Sequence, residues 1–197
     1  MGIREQKTAA TRQKLLDAVE SILKEDGFTA LKVEAISSRS GVDKKLIYFH
    51  FGDLKGLLNA FLKSKDFWFT KVYANDEAMQ LSKKDFPDLF VNQFHTIYNN
   101  RLLQQLLVWE LSEGHEVLKQ ASQERDELGM QLVKALVEKE GLKDDATPLL
   151  ALIVAGIYYL SIHSHSNGSS FCGLNLHDEK DQEKLTDTIR KLVQTIN

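Results

Sequence analysis

From Thr8 to Asp26 the apolar residues Leu15, Leu16, Val19, Ile22 and Leu23 recur at intervals of three and four, the spacing that places them on one face of an α-helix. The same period returns in nearly every segment beyond residue 54, and no period-two alternation of useful length interrupts it. This pattern confines the chain to an all-α architecture, because a stripe of that period is buried by packing helix on helix. Among 197 residues there are only 11 Gly and 2 Pro, while 43% are hydrophobic and 27% charged. That is too few breakers for a loop-rich β fold and too much apolar matter for a disordered chain.

Punctuation divides the N-terminal part finely. Gly27 stops the first helix. Val33–Ser40 and Lys44–His50 then read as two short helices around Gly41-Val42-Asp43. Gly41 can adopt the left-handed conformation that such a turn needs, and the Asp43 carboxylate can cap the amides that open the next helix. Gly52-Asp53 repeats the device, which sets a domain boundary between residues 52 and 53. Beyond it the pattern predicts helices over 54–80, 86–99, 101–113, 116–140, 147–164 and 179–195, with breaks at Asp85-Phe86-Pro87, Gly114, 141–145 and Ser166–His177. The last break is long enough to predict a mobile loop.

Charge sharpens the division. The net charge is −3, yet residues 1–65 carry 12 Lys and Arg against 8 Asp and Glu, net +4, leaving −7 for the remainder. A general nucleic-acid binder would be basic throughout; here the cationic part is the one with short helices. Lys44 and Lys45 open the third helix, where side chains reach base edges in the major groove and a lysine can donate to guanine O6 and N7. Leu46, Ile47 and Phe51 can dock that helix onto its neighbours.

Arg12, the helical apolar series, Gly27-Phe28, Val33, Ile36, Gly41-Val42, Ile47-Tyr48-Phe49-His50-Phe51 and Leu57-Leu58 stand in one register across about fifty residues. Residues 8–62 thereby resemble the DNA-binding domain of the TetR (tetracycline repressor) family. The resemblance implies an N-terminal helix-turn-helix domain, residues 1–52, followed by a helical ligand-binding and dimerisation domain, 53–197. Tyr48 and His50 resemble the family's tyrosine and histidine, which contact DNA phosphate or support the reading helix. Two positions depart from the family pattern. Leu31-Lys32 replaces a threonine pair that caps the second helix and touches phosphate, so the cap is weakened and Lys32 supplies charge instead. The family's lysine falls on Leu54, with Lys55 one position and about 100° of helix further on. Arg39, and Arg4 and Lys7 from an N-terminal arm, are candidates for further backbone contacts.

A reading helix this short makes only a few base contacts, each worth about 1–3 kcal/mol, too little for a unique genomic address. A homodimer on a palindromic operator is therefore expected, with half-sites about 34–36 Å apart or a multiple of that. The family resemblance implies that the helices at about 147–164 and 179–195 pair with their counterparts in a four-helix bundle. The apolar stretch Pro148–Ile162 is 15 residues, short of the roughly 20 that span a bilayer, and is expected to be a buried helix, one face covering its own domain and the other a partner.

Nine of the 17 aromatic residues lie between Asp66 and Trp109, and Phe86, Phe90, Phe94 and Tyr98 follow at four-residue spacing on one helix face. Core packing is the ordinary role of such a stripe. The resemblance implies in addition that this region encloses a small-molecule pocket, largely apolar, for which Phe90, Phe94, His95, Tyr98, Trp109 and Glu110 are the candidates.

No serine-histidine-acid register, phosphate-cradling glycine loop or paired-carboxylate motif is recognisable. His163 and His165 point about 200° apart on a helix and cannot chelate together. Neither catalysis, cofactor nor metal is therefore expected. Cys172 is the sole cysteine, and the first thirty residues hold no apolar block resembling a signal peptide; a cytoplasmic location is expected. The rival reading is an all-α binding or enzymatic domain whose N-terminal helices only resemble a DNA reader.

Overall fold

The structure, a computed structural model, describes residues 2–64, 84–140 and 146–195. Among them the regular elements are α1 (Ile3–Asp26), a 3-10 turn at Phe28–Ala30, α2 (Val33–Ser40), α3 (Lys45–Phe51), α4 (Leu54–Ser64), α5 (Phe86–Tyr98), α6 (Arg101–Ser112), α7 (Glu116–Glu140), α8 (Thr147–Ser166) and α9 (Glu179–Gln194). No strand occurs among the described residues, only an antiparallel bridge between Phe171 and Leu174. The continuation of α4 expected to residue 80, the aromatics Phe67, Trp68, Phe69 and Tyr73, and the break at 141–145 lie outside the described residues.

The chain forms two compact units. One comprises Met1–Phe67 with Trp109–Gln120, the other Trp68–Val108 with Ala121–Asn197. Thus α4, expected to open the second domain, groups with the first, as do the end of α6 and the start of α7. In the first unit α1 packs on α2 and α4, and α3 on α4. Leu15, Val19, Ile22 and Leu23 of α1 are buried with Ile36, Ile47, Leu57 and Phe61, which is the face the three-and-four spacing picks out. The indole of Trp109 lies parallel to the Phe28 ring, 6.0 Å away. α1 begins five residues earlier than the periodicity predicts, because no breaker intervenes and the Glu5 carboxylate accepts from the Gly2 amide at 2.9 Å.

In the second unit α5 packs on α8 and α9. Phe86, Phe90, Phe94, Leu103, Leu107, Ile153, Ile157, Ile189 and Val193 share its core. The segment after α8 is a loop, as its composition predicts, but it is fastened at several points. The Tyr98 hydroxyl and the Gln182 amide both donate to the Leu176 carbonyl, at 2.6 and 2.7 Å, and the Asn175 amide donates to Asp181 at 2.9 Å. The hydrogen bonds from Lys184 and from Asn175 hold the Asp181 carboxyl below its ordinary range.

α8 presents two different faces. It runs 20 residues and is long and apolar enough to cross a membrane by length and composition, yet only 28% of its most apolar 18-residue stretch is buried within one chain. Leu150, Ile153, Ile157, Ser161 and Ser164 face inward, whereas Ala151, Leu152, Ala155 and Tyr159 are exposed. Their spacing makes a second, outward apolar face on the same helix.

Candidate nucleic-acid interface

The turn that presents α3 is built as its residues predict. Gly41 closes α2 at φ 65°, in the left-handed region, and the Ser37 hydroxyl donates to the Val42 carbonyl at 2.7 Å. Asp43 accepts from the Lys45 amide at 2.8 Å, satisfying one donor at the start of α3. At the other end Gly56 lies against the Phe51 carbonyl so closely that an added Cβ would collide with it. Only glycine lets α4 start this near to the end of α3, and Asp53 caps that start by accepting from the Gly56 amide at 2.6 Å.

α3 is fastened on one side and bare on the other. Ile47 is completely buried. The Arg12 guanidinium, reaching across from α1, donates to the His50 carbonyl at 2.7 Å and lies 4.3 Å over the Phe51 ring. It thus satisfies a carbonyl in the last turn and covers the ring beside it. Opposite Ile47 stand Lys45 and Phe49, flanked by Leu46 and Tyr48, with Lys44 at the helix entrance. Lys44 and Lys45 are exposed, Tyr48 is 52% exposed and Phe49 77% exposed.

The sequence-predicted DNA contacts therefore divide. Lys44, Lys45 and Tyr48 occupy one bare surface. His50 is half-buried, its ring edge-on to Phe49 at 4.9 Å, which suits a supporting role. Lys32 is exposed at the entrance of α2, where no side-chain hydrogen bond caps the helix, as expected from the loss of the threonine pair. Lys55 is exposed on α4. Arg39 stands apart: its guanidinium pairs with Glu25 at 2.7 Å and Asp26 at 3.0 Å, bracing α2 against α1. Hydrogen bonds from Ser21 and Arg39 in turn keep the Glu25 carboxyl below its ordinary range.

The six candidate pocket residues also divide. Phe90 and Phe94 lie in the core of the second unit, with Phe94 5.5 Å from Tyr98, and His95 is exposed beside them. Trp109 and Glu110 belong to the first unit, where the Trp109 indole N–H donates to Glu113 at 3.1 Å and its ring meets His115 at 5.2 Å. Burial, with Lys55 nearby, pushes the His115 imidazole below its ordinary range, against a smaller opposing pull from Glu113.

Periodicity could not reveal the clamp by Arg12 or the polar positions inside the second unit. Gln93 and Ser161 are buried there, with the Gln93 amide 3.4 Å from the Tyr158 hydroxyl. Both face the core from helices whose apolar stripe hides them. Among the described residues no group of three or more His, Cys, Asp or Glu is placed to hold a metal ion.

Residues 15–61 match the model of the family described as bacterial regulatory proteins, tetR family. No curated protein matches the chain in sequence. Several solved structures share its fold over nearly the whole length. A transcriptional regulator FadR from Bacillus subtilis, solved in complex with stearoyl-CoA, is 17% identical with a TM-score of 0.62, covering 92% of this chain and 96% of that one. NalD of Pseudomonas aeruginosa, the secondary repressor of the MexAB-OprM multidrug efflux pump, is 17% identical with a TM-score of 0.61, covering 94% and 96%. A TetR transcriptional regulator from Agrobacterium tumefaciens is 20% identical with a TM-score of 0.51, covering 94% and 98%.

Proposed function

Since residues 15–61 match the model of the TetR family of bacterial regulatory proteins, we propose that this chain works as a homodimeric, DNA-binding transcriptional repressor of that family. It acts in the cytoplasm and is released from a palindromic operator by a small molecule. The observation that carries the reading is α3, locked by Ile47 and Arg12 while Lys44, Lys45 and Tyr48 stand on its bare side. A short helix docked on one face and cationic on the other fits the major groove, with lysines donating to base edges and the phenol to phosphate. Lys32 and Lys55 add phosphate contacts that position without specifying.

The partner copy meets the outward face of α8, where Ala151 and Ala155 allow close approach and Leu152 and Tyr159 supply buried area, and α9 contributes its exposed Leu192. A face that is small and apolar by turns suits another helix better than lipid, which needs no close approach.

The ligand is largely apolar and is held in the second unit beside the Phe90–Phe94–Tyr98 stripe, with His95 or Gln93 as polar partners. The similar regulator bound to stearoyl-CoA makes a long acyl group a reasonable first probe. Coupling runs along the chain: residues 109–120 group with the reading unit while the remainder of α6 and α7 belongs to the other. A ligand that shifts those helices by favouring one of two arrangements needs only about 1–3 kcal/mol of coupling.

An electrophoretic shift on the upstream region of the chain's own gene, titrated with salt, tests the reading. Binding that weakens steeply with salt and leaves a palindromic footprint is expected. No retention on any duplex would instead favour an all-α binding or enzymatic domain.

A further inference from the structure

We propose that Phe49 reads the methyl group of a thymine in the operator half-site, within about two base pairs of the base that Lys45 contacts. The inference rests on α3 entering the major groove and goes beyond it by naming the base and the residue that selects it.

Phe49 is the most exposed aromatic residue among the described residues of its unit, at 77%. It sits opposite the fully buried Ile47, so it marks the outermost line of α3 together with Lys45, one turn earlier. A scattered apolar residue on a surface needs no explanation. A phenylalanine on the outermost line of a helix, far more exposed than Leu46 at its side and sharing that line with a lysine, does, because this is the line that penetrates deepest into a groove. There a ring has no hydrogen bond to offer. The apolar group that the major-groove floor presents is the C5-methyl of thymine, and phenylalanine is among the side chains that meet it. The ring is also held for the task. It stands edge-on to His50 at 4.9 Å, and the His50 carbonyl is itself tied down by Arg12. The four residues from Lys45 to Phe49 advance about 6 Å along the helix, and base pairs rise about 3.4 Å, which gives the spacing of about two base pairs from the Lys45 contact.

The test starts from duplexes recovered by the full-length protein from a random-sequence pool. In each half-site every thymine is replaced in turn by deoxyuridine, which removes only the methyl. Affinities of the wild type, Phe49→Ala and Phe49→Leu are then compared at low salt. One buried methyl is worth about a four-fold change, or about fifteen-fold when both half-sites are altered. The wild type is expected to lose that factor at one position, and Phe49→Ala to bind thymine and deoxyuridine duplexes alike. Its salt dependence should be unchanged, because no phosphate contact is removed. Phe49→Leu should keep part of the discrimination.

Half-sites without thymine, indifference of the wild type to every replacement, or discrimination retained in Phe49→Ala would each overturn the assignment while leaving DNA reading intact. Loss of all binding by Phe49→Ala, phosphate contacts included, would also overturn it by making the ring structural. Failure of the wild type to recover any duplex would defeat the DNA reading itself and this inference with it.

Discussion

α3 and α8 both leave apolar side chains in water, and they do so in different company. On α3 the exposed ring of Phe49 stands among Lys44, Lys45 and Tyr48; on α8, Leu152 at 71% and Tyr159 at 51% exposed stand with Ala151 and Ala155, without a charge between them. Equal exposure therefore has two meanings. An apolar ring beside two lysines suits a polyanion with a methyl-lined groove, whereas an uninterrupted apolar face must be covered by another apolar face. The neighbours, not the exposed residue itself, indicate the partner.

The comparison breaks most visibly on α8. Leu152→Arg would place an unpaired charge in the proposed dimer face, a penalty of several kcal/mol. It should yield monomers in sedimentation and lower operator affinity more than a hundred-fold, with α3 untouched. A dimer that survives this change would remove α8 from the interface. On the other helix Lys45→Ala should cost about 1–3 kcal/mol of specific binding and relax the preference at one base position; a change equal on all sequences would make Lys45 a phosphate contact instead.

Arg12→Ala should weaken operator binding by about ten-fold, the scale of one charge-assisted hydrogen bond of about 1.5 kcal/mol, without altering the number of ions released. Arg39→Ala should leave operator affinity within two-fold, since its guanidinium serves Glu25 and Asp26. Lys32→Ala should reduce the salt slope by about one. That pair separates bracing arginines from contacting lysines.

The smallest effect concerns His115. Its folded-state pKa lies below the ordinary 6.5 because burial opposes the charge, with Lys55 adding to the effect. The unfolded chain therefore binds the proton more readily, so this contribution to stability is present above about pH 6.5 and declines as pH falls through the folded value. Urea midpoints measured at pH 7.5 and 5.5 should fall further for the wild type than for His115→Gln. Equal slopes would mean that the imidazole titrates as if free.

The helices of the reader were legible because short-range chemistry specifies them: Leu15 to Leu23 display the period, Gly41 permits the turn, and Asp43 caps the start of α3. Lys44 and Lys45 could be placed on the reading helix for the same reason. Arg39 and Arg12 were not so legible. Both are arginines on helices of the same unit, yet one ends on acids of α1 and the other on the last turn of α3, and no local rule separates them. The grouping of Trp109 with Phe28 joins residues 81 positions apart, beyond the reach of any periodicity.

Helical periodicity, breakers and caps act over a few residues, so the amino-acid order was enough to dictate an all-α chain, a turn between two short helices and a cationic N-terminal unit. Where side chains find partners across the fold is settled by packing, which brings distant segments together and chooses among many equivalent contacts. Packing alone decided which side chains of α8 lie inside and which face outward. It likewise turned Arg39 back onto the acids of α1 to brace while leaving Phe49 at the outer edge of α3.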